Sequence, residues 1–132
     1  DMQLYTLSTR GLMMEDEYRC PPYLSTKLTG LAIREYLSYV EEGYPYEFYV
    51  CFKQIKPRTS YTSIVRYFWI LEKLGLIEFV REEPSSKGGF NRKLYRIVVY
   101  DDPRWIAPQV ALYPSTRLGS RRYRKLKEAG LI

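Results

Sequence analysis

Apolar positions mark the helices of this chain before any composition is counted. Leu28, Ala32, Ile33, Tyr36, Leu37 and Val40 recur at three- and four-residue spacing, the pattern of one wide apolar helical face. This first helix is expected to start near Ser25 or Thr29 and to end around Glu42–Gly43, where glycine can take the left-handed terminal conformation. A second helix is expected from Pro45, a residue tolerated in a first turn because no intrahelical donor is lost there. It carries Tyr46, Phe48, Tyr49, Val50, Phe52 and Ile55, apolar nearly all round, which predicts burial on two sides; the same content also fits a strand. Lys56–Pro57 closes it, because a residue before proline avoids helical geometry. The third helix is the clearest: Thr59 or Ser60 can cap it, Ile64, Tyr67, Phe68, Leu71 and Leu74 form its core stripe, and Gly75 stops it.

The period then changes from helical to alternating. Residues 76–82 and 93–100 read as two strands, with Ile77, Phe79 and Arg81 on one face of the first and Tyr95, Ile97 and Val99 on one face of the second. Residues 83–92 between them have turn chemistry, with Phe90 as their one core candidate, and predict a hairpin with a long tip. Residues 101–115, with Pro103, Trp105, Pro108, Tyr113 and Pro114, predict an extended strap packed on the domain. A basic helix over about 118–129, ending at Gly130, is expected last. The organisation that follows is an N-terminal arm (1–24), a domain (25–100), and a strap with a C-terminal basic helix (101–132).

Charge adds a direction to this picture. The net charge is +6, but residues 1–56 hold six basic and eight acidic residues, net −2, whereas residues 57–132 hold fifteen and seven, net +8. A basic half favours a polyanionic partner. The apolar run Val65–Leu71 contains Arg66 and is far shorter than the roughly 18 residues of a membrane span. Residues 1–10 show no basic region followed by an apolar stretch, so a cytoplasmic location and no membrane partner are expected. On that basis Cys20 and Cys51, the only cysteines, are expected to be reduced, partly buried thiols, with a disulfide as the alternative. Sparse amides with abundant Tyr, Arg and Glu look like a thermophile's composition, in which the disulfide becomes less improbable, though reduced thiols stay the expectation.

The stretch Tyr61-Thr62-Ser63-Ile64-Val65-Arg66-Tyr67-Phe68-Trp69-Ile70-Leu71-Glu72-Lys73-Leu74-Gly75-Leu76-Ile77 resembles the recognition helix of the winged helix-turn-helix superfamily of prokaryotic and archaeal transcription regulators. The resemblance covers about half the chain and is more specific for fold than for function. It implies an α+β fold, a three-helix core plus β-hairpin wing, followed here by the basic helix. It also implies a regulator that binds double-stranded DNA, either as a homodimer matched to a palindrome or in an architectural role.

The residues support the same reading independently. With the core stripe inward, Thr62, Ser63, Arg66, Trp69 and Lys73 face outward, and Arg58, Thr59 and Ser60 stand at the helix start. A major groove admits one helix, whose N-terminal half reaches base edges, and Arg66 can hold a guanine edge with two bonds. Thr59 and Ser60 have helix capping as their other use; Tyr61 and Trp69 are expected to pack. At the hairpin tip Lys87, Arg92 and Lys93 flank Gly88–Gly89, a basic finger for an adjacent groove. Arg117, Arg121, Arg122, Arg124, Lys125 and Lys127 place six cations in eleven residues, suited to phosphates.

No glycine-rich phosphate loop appears, and without histidine a hydroxyl or thiol nucleophile lacks its commonest base, so no enzyme, metal or cofactor is expected. Two other readings remain at this point. Trp69, Ile70 and Phe90 would form an exposed apolar patch of an assembly module, or the basic tail would grip structured RNA.

Overall fold

The computed structural model describes residues 18–24, 26–84, 91–113, 124, 125 and 127–130. Helices α1 (Thr29–Val40), α2 (Pro45–Lys53) and α3 (Tyr61–Lys73) precede an antiparallel hairpin of β1 (Ile77–Glu83) and β2 (Arg92–Ile97). A 3-10 turn (Pro103–Trp105) and the short helix α4 (Pro108–Leu112) follow. The fold is therefore α+β, with the segment 45–53 a helix rather than a strand.

Each helix ends for a local reason. Ser60, not Thr59, caps α3: its hydroxyl accepts the Ser63 amide at 3.1 Å. At the other end Gly75, at φ +78°, closes a Schellman motif, since the Leu76 amide reaches the Leu71 carbonyl and the Gly75 amide reaches that of Glu72, both at 3.0 Å. Leu71 and Leu76 both lie in the core, the apolar contact that accompanies this motif.

The end of α1 departs from expectation. The helix stops at Val40, and the positive φ belongs to Glu41 (71°, ψ −54°) instead of Gly43. Glu41 is the centre of a γ-turn in which the Glu42 amide donates to the Val40 carbonyl at 2.8 Å. Glycine is needed at 43 for space: a Cβ there would lie 2.5 Å from the Tyr36 ring. The close approach lets Gly43 exchange two backbone hydrogen bonds with Tyr95, at 3.0 and 2.8 Å, which fastens the α1–α2 connection to β2.

The core joins all these elements. Ile33, Tyr36 and Leu37 from α1, Phe48 and Phe52 from α2, Ile64, Phe68 and Leu71 from α3, and Leu76 and Ile77 leading into β1 are buried together. Tyr67 and Leu74 of the expected stripe are only partly buried and pack on its edge. In the hairpin, Ile77 pairs with Ile97 and Phe79 with Tyr95, but Val80 bulges, so that Arg81 meets Leu94. Alternation is therefore broken, and Leu94 is buried whereas Phe79 is exposed. The second strand ends at Ile97, short of the expected 100.

Residues 101–113 are not an extended strap. Trp105 is fully buried in the common core, and its ring nitrogen donates to the Val99 carbonyl at 2.9 Å. Gly30 of α1 allows this approach, because a Cβ there would lie 2.0 Å from the Trp105 carbonyl oxygen. Segment and domain thus share one interior.

The thiol expectation is also corrected. Cys20 and Cys51 form a disulfide, with Cα atoms 5.3 Å apart, which fastens the segment before α1 to α2. Beside it lies Glu47, the buried charged residue of α2. Its carboxylate accepts from Arg19 Nη2 at 2.7 Å, from the Arg19 amide at 3.0 Å and from the Tyr36 hydroxyl at 2.7 Å. The Tyr36 oxygen in turn accepts the Tyr44 amide at 2.9 Å. Burial, followed by the neighbouring Glu47 charge, pushes the Tyr36 hydroxyl far above its ordinary range. The expectation that α2 is apolar and buried on two sides is therefore replaced by an α2 with a buried ionic network and an exposed side at Tyr46.

Candidate nucleic-acid interface

Residues 53–73 form the turn into α3 and α3 itself. The turn is local: the Lys56 amide donates to the Phe52 carbonyl at 2.9 Å and the Thr59 amide to that of Lys56 at 3.0 Å. This leaves Lys56 and Arg58 exposed, while the Thr59 hydroxyl is buried without a hydrogen-bond partner. On α3 the buried residues are Ile64, Phe68, Ile70 and Leu71, and Thr62, Val65, Arg66, Trp69 and Lys73 are exposed. Ser63 is half-buried, its amide used by the Ser60 cap. Ile70, expected on the surface, lies inside.

The electrostatics of this segment set it apart. It holds five basic residues (Lys53, Lys56, Arg58, Arg66 and Lys73) and one acidic residue, Glu72, net +4. Among the described residues, no carboxylate lies within ion-pair distance of any of the five. Lys53 and Lys73 rest over aromatic rings, those of Tyr49 at 5.3 Å and Trp69 at 5.4 Å. Arg58 and Arg66 have neither kind of partner.

Six other described arginines are engaged. Arg19 binds Glu47, Arg104 binds Asp102 at 2.9 Å, and Arg96 pairs with Glu78 across the hairpin. Arg81 bridges Glu42 at 2.7 Å and Glu83 at 3.0 Å. Arg34 lies over the Tyr100 ring. Arg92, expected in a basic finger, stands at the base of the hairpin, with its guanidinium 5.0 Å from the Tyr44 ring centre and 3.6 Å from Glu83. The next residue along the strand, Lys93, pairs with Glu82 and is exposed.

Arg58, Ser60, Thr62 and Arg66 are thus all exposed along the turn and α3, whereas Arg92 belongs to β2. Arg124 and Lys125 are exposed and helical. Lys87, Arg121 and Arg122, with Phe90 of the expected apolar patch, lie outside the described residues. Two cations went without a role in the sequence: Lys53, the last residue of α2, and Lys56, in the turn that leads into α3. Val65 likewise went without one.

A cluster of tyrosines borders this surface. Tyr46 meets Tyr18, Tyr49 and Tyr61 edge-on or tilted at 5.5 to 6.0 Å, and Tyr49 meets Tyr61 at 5.6 Å. Tyr61 therefore packs as expected. Partial burial raises its hydroxyl above the ordinary range.

Among the described residues, no helix is long and apolar enough to cross a membrane. No protein-family model matches the chain, and neither a curated protein nor a solved structure matches it.

Proposed function

We propose that this chain is a winged helix-turn-helix protein that binds double-stranded DNA, with α3 in the major groove and the β1–β2 hairpin alongside as the wing. The order of three helices and a hairpin fits that fold, and the Gly43–Tyr95 bridge supplies the short extra strand contact on which such a wing rests. The observation that carries the functional reading is the contrast among arginines. Arg58 and Arg66 stand unpaired on the exposed side of the turn and α3, whereas six others are tied to carboxylates or rings. Unpaired guanidinium groups beside a helix start suit phosphates, and one on the helix itself suits a guanine edge. Arg124 and Lys125 would add phosphate contacts without sequence information. A regulator acting as a homodimer on a palindrome is the role we propose.

Retardation of a labelled duplex at low salt tests this. Arg58→Ala and Arg66→Ala should each weaken binding about tenfold. A wild-type protein that leaves duplex DNA unretarded overturns the reading, and stronger competition by duplex RNA redirects it to RNA.

A further inference from the structure

Val65 and Trp69 are adjacent turns of the same exposed face of α3, 41% and 45% exposed. Neither belongs to the core, and a β-branched residue such as Val65 slightly weakens a helix, so helix propensity does not account for a valine there. Cations accompany the strip: Arg66 follows Val65, Arg58 stands in the turn before α3, and Lys73 sits over the Trp69 ring at 5.4 Å. An apolar strip edged with cations has a defined complement. In the major groove, phosphates line both rims, and on the floor thymine alone among the bases presents a methyl group.

Given the DNA-binding reading above, on which this rests, we infer that Val65 reads thymine, its methyl groups packing on the 5-methyl of a thymine next to the base pair that Arg66 holds. Val65 is favoured over Trp69 by position. It is the fifth residue of α3, in the half of the helix that reaches base edges. Arg66 follows Val65 on α3, and both side chains are exposed. Trp69 lies a turn further on, with a lysine on its face, and packs nearer a groove rim.

The test starts from a randomised duplex pool, selected on the full chain and sequenced. One thymine neighbouring a guanine should be enriched. Each thymine of the selected duplex is then replaced in turn by deoxyuridine, which deletes only the methyl group. One replacement should weaken wild-type binding about fourfold, the worth of one buried methyl group. Val65→Ser, an exposed substitution, should bind thymine and deoxyuridine duplexes equally and retain the wild-type melting temperature. Indifference of the wild type to every replacement overturns the inference and leaves DNA binding standing, as does equal sensitivity in the Val65→Ser protein. Retention of DNA without any enriched base also overturns it. Failure to retain any duplex overturns both readings.

Discussion

Arg19 and Glu47 hold each other across 28 residues of chain, with Arg19 Nη2 2.7 Å from Glu47 Oε1 and Nε 3.1 Å from both carboxylate oxygens. The partnership is unequal: the carboxylate side chain is 3% exposed, the guanidinium side chain 48%. A carboxylate buried in α2 needs hydrogen-bond donors to replace water, and Arg19 and Tyr36 provide them for Glu47. Arg19→Ala leaves a buried charge that water reaches only from one side. The expected loss is about 2 kcal/mol, below that for a fully enclosed pair because the cation is half in solvent. Urea unfolding measures it, and an unchanged midpoint would show that the Arg19 contact adds nothing to stability.

The disulfide next to Arg19 acts on the same segment. Closing a loop of this length is worth about 3 to 4 kcal/mol in the chain-entropy view. The Cys20→Ser, Cys51→Ser protein should lose stability of that order. Adding Arg19→Ala to it should cost less than in the bonded protein, because the released segment no longer holds the guanidinium in place. Strict additivity in a double-mutant cycle would refute this coupling.

Alkaline pH should weaken the fold through Tyr36. Its folded hydroxyl is raised well above the ordinary value of 10.0, first by burial and then by Glu47. A raised folded value means that the native state keeps its proton longer than the unfolded chain does. This contribution is complete below pH 10 and declines as pH rises beyond it, by about 1.4 kcal/mol per unit for one group. Tyr36→Phe loses the bond to Glu47 at neutral pH but should show a shallower decline above pH 10. Parallel stability–pH curves for the two proteins would contradict the assignment.

Two backbone positions predict opposite outcomes. Gly30→Ala forces a Cβ to within 2.0 Å of the Trp105 carbonyl oxygen, a backbone atom that cannot turn aside, so a loss of about 2 to 3 kcal/mol is expected. Glu41→Gly places the permissive residue at φ 71°, where a side chain is strained, and should raise stability by about 1 kcal/mol. Thermal melting of both variants decides, and a destabilised Glu41→Gly would show that its turn costs little.

Salt dependence separates the proposed roles of the cations. Binding to a fixed duplex should weaken with salt, and Arg58→Ala should lower the slope of log K against log salt by about one. Arg92→Ala should leave that slope unchanged, because its guanidinium is occupied by Tyr44 and Glu83.

The sequence by itself determined what is local. The inward set Ile64, Phe68 and Leu71, the cap at Ser60 and the stop at Gly75 all follow from spacing and side-chain chemistry within a few residues, and α3 formed where they required. The two strands were legible for the same reason. Tertiary structure alone decided which charges are free. Arg81 meets Glu42 across 39 residues and Arg19 meets Glu47 across 28, so no short-range pattern separates them from Arg58 and Arg66. It likewise placed Ile70 and Trp105 inside, paired Cys20 with Cys51, and gave the left-handed turn to Glu41 instead of a glycine. The physical reason is range. Helical and strand periodicity is set by neighbours along the chain, whereas burial and ion pairing depend on which segments meet in space, and those meetings carry no mark in the local sequence.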